Sequence, residues 1–332
     1  MDVLSDVLSA VRMSGAFFFH NECYAPWVCG EPTATEIAHR IMPEHKFVIP
    51  FHVVLGGGCW VDVEGDEPTA MQLKAGDVVV FPKGDRHFMA SEVGLRKTLY
   101  PEHFDPPPGR RQSLRYLMNG EAGGPVVCRF ICGFIGCDTR PFNPLLGALP
   151  RMFRTSTSDG NREWLSSLAN AGVTESERDG AGAQTMLARL AELMFVEVLR
   201  QRIADATDGS TGWLAGLRDP HVGASLELIH ARPAEPWTLE QLAQQVGLSR
   251  SVFAERFTAL VGMPAMQYLG RWRMTLAAQL LEDPAISLAQ AGAEVGYESE
   301  AAFQRAFKKF VGTPPGAWRR ELTGTSAPAS IN

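Results

Sequence analysis

The chain has 332 residues, 45% of them hydrophobic and 20% charged, with a formal net charge of −6. That length leaves room for two hydrophobic cores, and the mild acidic balance excludes a protein that adheres to polyanions in bulk, so any nucleic-acid contact has to come from a local patch. No apolar run reaches about eighteen residues, and the N-terminal stretch carries Asp2 and Asp6 without a basic segment, so neither a membrane span nor a secretory signal is expected and the expected setting is cytoplasmic.

From about Pro50 to Ser91 the pattern turns to alternation. Phe51–Leu55, Cys59–Val63 and Asp77–Phe81 read as short strands, parted by Gly56–Gly58, Gly65–Asp66 and Pro82–Gly84. Many short strands at close spacing point to a sandwich or a barrel. Gly76, then Pro82-Lys83-Gly84, then His87 is a spacing similar to the second motif of the cupin barrels, and Leu73–Asp77 fits it too. Phe51-His52 occupies the place where cupins carry a His-x-His pair, but Val54 stands where the second histidine would be.

Catalytic cupins hold a metal with three histidines and a glutamate, so the departure matters. His52 and His87 are the only matches, with Cys59 or Glu64 as candidate supplements, and two neutral imidazoles do not make a closed site. No metal and no other cofactor is therefore assigned, catalysis is not expected, and the two histidines are read as lining or closing the barrel. A barrel of about eight strands holds one small ligand in its mouth. His52, Trp60, His87 and Phe88 are the candidate effector-binding residues; which of them face inward depends on strand parity, left open by the sequence.

Six cysteines are present, Cys128, Cys132 and Cys137 close together and Cys23, Cys29 and Cys59 scattered, with no Cys-x-x-Cys pair. They read as core thiols, with oxidation of Cys132 and Cys137 as the alternative. Ser156 to Gly182 is rich in Ser, Gly, Asp and Glu and reads as partly mobile. Gln184 to Ala204 reads as an amphipathic helix with Leu187, Leu190, Met194 and Val198 on one stripe, either packing on its own barrel or pairing with a second chain. Asp205 to Gly216 reads as a hinge.

The C-terminal part contains a repeat. Leu239, Leu242, Ala243, Val246 and Gly247 reappear as Leu288, Ala291, Gly292, Val295 and Gly296; after one inserted residue, Ser249, Phe253, Phe257, Gly262 and Pro264 reappear as Ser299, Phe303, Phe307, Gly312 and Pro314. Each copy reads as a short helix, a glycine turn and a second helix capped by Ser249 or Ser299, with phenylalanines turned to the core. That is a helix-turn-helix, whose second helix enters the major groove. Pro264 to Glu282 reads as one linking helix of about 28 Å, near the roughly 34 Å between successive major grooves on one face of DNA.

From about Ala224 to Arg320 the chain resembles the DNA-binding domain of the AraC/XylS transcription regulators. The resemblance rests on Trp237–Ala243, Leu248-Ser249-Arg250, Arg271–Met274, Ala293–Tyr297 and Gly312–Pro315. It implies an N-terminal cupin-like unit for effector binding and dimerisation. The expected fold is multidomain α+β: a cupin-like effector-binding β-barrel over residues 1–150, a helical connector over 151–220 with a candidate dimerisation helix, an all-α domain with two helix-turn-helix motifs over 221–320, and a disordered tail over 321–332.

The candidate DNA-contacting residues are Arg250, Ser251, Ala254, Glu255 and Arg256 in the first copy, Arg271 and Arg273 in the linking helix, and Glu300, Ala301, Gln304, Arg305, Lys308 and Lys309 in the second. Gln304 and Arg305 are the types that make bidentate contacts to adenine and guanine, and the second copy is the more basic. The expected function is sequence-specific transcription regulation under a small-molecule effector. Expected partners are double-stranded DNA, that effector, a second copy of the chain and, for an activator, RNA polymerase. The alternatives are a metal-dependent cupin enzyme with a DNA-targeting domain and a thiol-based redox regulator.

Overall fold

The computed structural model describes residues 2–11, 14–45, 47–65, 69–97, 104, 114–118, 126–137, 142–156, 163–178, 180–204 and 212–322. The elements in chain order are α1 (Val3–Val11), β1 (Ser14–Cys23), β2 (Val28–Glu31), α2 (Ala34–Ile41), β3 (Phe47–Val63), β4 (Met71–Lys74), β5 (Asp77–Val80), β6 (His87–Ala90), β7 (Leu114–Met118), β8 (Cys128–Cys137), α3 (Pro144–Ala148), β9 (Phe153–Ser156), α4 (Glu163–Arg178) and α5 (Ala183–Ala204). There follow α6 (Trp213–Arg218), α7 (Pro220–Ala231), α8 (Leu239–Gln245), α9 (Arg250–Val261), α10 (Ala265–Leu280), α11 (Leu288–Glu294), α12 (Glu300–Val311) and α13 (Pro315–Leu322). They fall into two units. One gathers Arg12–Asp138 and Leu149–Asp205; the other gathers Met1–Val11, Thr139–Ala148 and Ala206–Asn332.

The first unit is built on a bent sheet in the order β2-β6-β3-β8-β1-β7, with β4 also on β3 and β5 joining β3 to β9. This corrects the expected barrel. Closure requires the last strand to pair with the first, whereas among the described residues β2 and β7 end the path and do not pair with each other. The sheet is open, and it bends within a single strand. Gly56–Gly58, read as a turn from the sequence, lies inside β3, where the pairing with β8 shifts register between Val54 and Gly56. Gly57 has φ +71° and a Cβ there would strike the Val127 carbonyl, so the glycines serve a bulge and a close backbone approach, not a reversal.

Before the bend β3 pairs with β8 and β5; after it β3 pairs with β4 and β6. The two halves enclose one core containing Phe19, Trp27, Val54, Val61, Phe81, Met89, Phe130 and Phe134. Trp27 stacks on Phe130 at 5.5 Å between centroids. Each such buried aromatic contributes about 1.5–3 kcal/mol relative to exposure, so this interior is a filled core.

The opposite face of β3, β5 and β8 is also covered, which explains the unbroken burial along β5. Phe51, Val78, Val80 and Ile135 meet Met194, Phe195 and Val198 of α5. Leu187, Leu190, Met194 and Val198 are all buried within their own unit, so the apolar stripe of this helix packs on its own sheet. Thr155 Oγ1 donates to Gln201 Oε1 at 2.6 Å on the same side. The Ser156–Gly182 stretch, expected to be partly mobile, contains the helix α4, which packs on α5. Most of the expected hinge (205–211) and the tail beyond residue 322 lie outside the described residues.

In the second unit the repeat folds as its residues dictate. Thr238 and Ser287 close capping boxes with Gln241 and Gln290 ahead of α8 and α11. Gly247 and Gly296 take φ +72° and +83° where those helices stop. Ser249 and Ser299 accept from the amides of Val252 and Ala302. Phe253, Phe257, Phe303 and Phe307 are completely buried. Gly292 admits the second helix closely: a Cβ there would stand 3.0 Å from Phe303. Helix α10 starts from Pro264 as its N-cap and links the copies.

Two short segments from elsewhere in the sequence complete this unit. Helix α1 packs on α7 and α10 and buries Val3, Val7 and Ala10; α3 packs on α6. Thr275 Oγ1 donates to the Phe142 carbonyl at 3.0 Å, and the Phe142 ring meets Tyr268 edge-on.

Candidate functional site

The first candidate site is the outward face of the repeat. On α9, Arg250, Ser251, Glu255 and Arg256 are exposed and Ala254 is half-buried; on α12, Glu300, Ala301, Gln304, Arg305, Lys308 and Lys309 are all exposed. Ser251, Glu255, Ala301, Arg305, Lys308 and Lys309 lie on the side of their helix away from the buried phenylalanines, whereas Arg250 and Glu300 are exposed as the first residues of α9 and α12. Arg256 is engaged within the protein: its Nε and Nη2 donate to Asp219 Oδ2 at 2.9 and 2.5 Å. Gln304 donates to Glu300 Oε1 at 2.7 Å, which sets the direction of its amide along the helix surface.

The two arginines of α10 stand apart from this face. Arg273 donates from Nε to the Pro233 carbonyl and from Nη2 to the Glu235 carbonyl, both at 2.7 Å, and its guanidinium lies 5.7 Å from the Tyr297 ring. It latches the loop before the first helix-turn-helix to the turn of the second. Arg271 is half-buried and lies over the Phe142 ring at 5.4 Å.

The second candidate site lies inside the sheet. His52 and Val54 point into the core, whereas Phe51 and Val53 point towards α5, so the parity left open in the sequence is fixed here. The His52 and His87 Nε2 atoms are 2.7 Å apart. Trp60 and Phe88 do not join them. Cys59, Val61 and Val63 are core residues, which places Trp60 on the opposite face of β3. Phe88 lies likewise on the face of β6 away from His87, under the Arg96 guanidinium at 4.6 Å.

The residue that does join the histidines is Glu31, which sequence reasoning missed. Antiparallel pairing of β2 with β6 puts Glu31 opposite His87. Its carboxylate oxygens lie 3.5 Å from His52 Nε2 and 3.6 Å from His87 Nε2. Nothing local marks Glu31; only the register of strands more than fifty residues apart brings it in. The candidate supplements lie elsewhere: Glu64 is exposed beside Arg86, and the Cys59 thiol lies beside that of Cys128.

All three side chains are at most 2% exposed. Burial pushes the Glu31 carboxyl well above the usual range, a negative charge on Cys29 would push it further, and the nearby Cys132 thiol pulls the other way. Burial holds His52 well below its ordinary value, and the facing His87 adds to this. His87 is lowered to about 4 for the same first reason, against an opposing hydrogen bond to the Asp85 carbonyl. That bond, from Nδ1 at 2.9 Å, leaves the His87 Nε2 lone pair facing the cluster. Nδ1 of His52 lacks a hydrogen-bond partner, and among the described residues the donor set against the Glu31 carboxylate is the weak Cys132 thiol.

As a donor set for a metal, the cluster fits better than the two-histidine set visible in the sequence. One carboxylate and two imidazoles offer ligand atoms within 4.8 Å of one another, and three protein ligands suffice for an ion that keeps open positions. The six cysteines are free; Cys132 and Cys137, five residues apart on strand β8, are about 16 Å from each other, beyond the roughly 7 Å that a disulfide spans, and Cys132 lies instead beside Cys29.

Comparison with known proteins also gives two parts, with borders other than those of the folding units. Residues 2–204 match the family described as Cupin, and residues 242–321 match the helix-turn-helix domain family. The chain is 33% identical to a putative AraC-like transcription regulator of Streptomyces lividans, over 83% of this chain and 88% of that protein. It is 27% identical to the HTH-type transcriptional regulator AlkR of Acinetobacter baylyi, over 97% of this chain and 100% of AlkR. Among solved structures, the DNA-binding domain of AdpA in complex with a target DNA aligns with 32% of this chain and 96% of its own, at 27% identity and a TM-score of 0.31.

Proposed function

The chain belongs to the AraC/XylS-type transcription regulators, with an N-terminal cupin domain and a C-terminal helix-turn-helix domain, and from that premise we propose that it reads DNA with two unequal hands under the control of an effector. It is a DNA-binding regulator and not an enzyme. The observation that carries the inequality is charge availability: Arg305, Lys308 and Lys309 are exposed on α12, while on α9 Arg256 is held by Asp219. In this reading Arg305 and Gln304 contact base edges, Lys308 and Lys309 contact phosphates, and Arg250, Ser251, Ala254 and Glu255 form the weaker half.

The N-terminal unit receives the effector and a second copy of the chain. An effector shifts the regulator only by its different affinities for the conformations that do and do not engage both half-sites. The dimer surface is assigned to the solvent side of α4 and α5, where Trp164, Met186 and Leu193 are each about half exposed. Among the described residues no helix is long and apolar enough to cross a membrane. A cytoplasmic activator touching RNA polymerase completes the reading.

The test is selection and sequencing of DNA bound by the purified protein, followed by titration at several salt concentrations. Arg305→Ala is expected to relax preference at one base pair at a cost of roughly 1–3 kcal/mol, and Lys308→Ala to weaken all sequences alike and lower the salt slope by about 1. An unaltered preference in Arg305→Ala refutes the assignment of α12 as the stronger reader.

A further inference from the structure

Three strands of the bent sheet converge on one point. β2 supplies Glu31, β3 supplies His52 just before its glycine bend, and β6 supplies His87, with the carboxylate oxygens 3.5 and 3.6 Å from two imidazole nitrogens that are themselves 2.7 Å apart. A buried carboxyl group whose polar neighbours are two imidazoles and one thiol ionises at little cost only when a cation stands against it. No lysine or arginine forms an ion pair with Glu31 among the described residues; its partners within ion-pair distance are the two histidines.

We propose that Glu31, His52 and His87 bind a divalent first-row transition-metal ion. Two nitrogen donors and one carboxylate suit iron, cobalt or zinc and leave further coordination positions open. The Asp85 carbonyl, accepting from His87 Nδ1, fixes the tautomer that presents Nε2, as an outer partner of a metal-bound histidine does. On His52 the proton moves to Nδ1, and both Nε2 lone pairs then face the carboxylate. Phe81 stacks on His87 at 3.6 Å between centroids and Phe130 meets His52 edge-on at 5.9 Å, so the surroundings suit an ion and leave little space for an organic ligand. The third ligand comes from β2 and stands outside the His-x-His pattern that Val54 interrupts. The site goes beyond the DNA-reading function and does not depend on it.

The experiment uses full-length, untagged protein stripped by a chelator. Cobalt(II) is titrated and followed by its visible ligand-field absorption, and zinc(II) by calorimetry, in the wild type and in Glu31→Gln, His87→Gln and Glu64→Gln. One ion per chain is expected for wild type and Glu64→Gln, with a loss of roughly 100-fold or more in the other two, larger than the removal of an outer partner causes. Absence of stoichiometric uptake by wild type, or unchanged affinity and spectrum in both ligand variants, overturns the proposal. Should either variant fail to fold, X-ray absorption on zinc-loaded wild type decides: two imidazoles at about 2.0–2.1 Å with oxygen support it, and a shell lacking imidazole overturns it.

Discussion

Arg256, on the second helix of the first repeat, and Asp219, the N-cap of α7, are joined by two hydrogen bonds to a single carboxylate oxygen, Oδ2. The other oxygen, Oδ1, accepts from the His221 and Val222 amides. One side chain thus caps a helix and withdraws a cation from the DNA-facing surface. Asp219→Ala is expected to lower stability by about 1 kcal/mol through the lost cap. It is also expected to steepen the salt dependence of DNA binding by about one unit, as the released Arg256 takes up a phosphate. Thermal melts and binding isotherms between low and moderate salt check both halves; an unchanged slope would show that Arg256 remains unavailable to DNA.

Gly247 and Gly296 occupy equivalent turns but not equivalent surroundings. Both have positive φ, yet a Cβ on Gly247 meets nothing within 4 Å, while one on Gly296 would collide with the Ala234 carbonyl. Gly247→Ala is expected to cost about 1–2 kcal/mol, the strain of the left-handed conformation. Gly296→Ala should cost clearly more, because the loop before α8 must also move. Chemical denaturation of the two variants ranks them; equal losses would mean that the 234 loop yields freely.

His230 responds to acid. It lies buried on α7, stacked on Trp272 at 4.1 Å and bonded through Nε2 to Tyr268 Oη at 2.9 Å, and burial lowers its pKa to about 3. Asp6 stands 3.6 Å from Nδ1, too far to hydrogen-bond and restore it. Between pH 6.5 and 3 the unfolded chain binds a proton that the folded chain refuses, so stability falls as pH drops through this window. At about 1.4 kcal/mol per unit, the step from pH 6.5 to 5 is about 2 kcal/mol. His230→Gln should show a flatter acid limb than wild type over that range in denaturant melts; identical limbs would contradict the assignment.

Leu190 and Leu193 are three residues apart on α5, but Leu190 is buried and Leu193 is half exposed. Leu190→Glu places a charge against the sheet and is expected to destabilise the N-terminal unit by at least the 2–5 kcal/mol of losing a core leucine. Leu193→Glu should leave folding within about 0.5 kcal/mol of wild type while dissociating the proposed dimer. Sedimentation velocity separates the cases, and a dimeric, well-folded Leu193→Glu would rule this face out as the interface.

What was legible in the sequence was what is decided locally. Ser249, Ser299, Gly247, Gly296 and the paired phenylalanines take their roles from neighbours within one turn or one helix-turn-helix, so spacing sufficed. The same reasoning failed at Gly56–Gly58, because three glycines in a row look alike whether the chain reverses or bulges; only the approach of Val127, just before β8, distinguishes them. It failed again at closure. Alternating strands specify two faces but not whether the last strand finds the first. His52 and His87 were visible through a motif, whereas Glu31 owes its place to the β2–β6 register, and Trp60 and Phe88 were assigned to the site without the parity that separates them from it.

The division into units carries a consequence for how the chain can be taken apart. The polypeptide passes from one unit to the other after residues 11, 138, 148 and 205. A single cut in the 205–211 segment, which the sequence suggests as the natural seam, would sever one of four covalent ties and leave three. A fragment beginning near residue 212 would lack α1 and α3, uncovering the surfaces of α7, α10 and α6 on which they pack. The unit of inheritance, a C-terminal module that recurs in other proteins, and the unit of folding in this molecule have different borders.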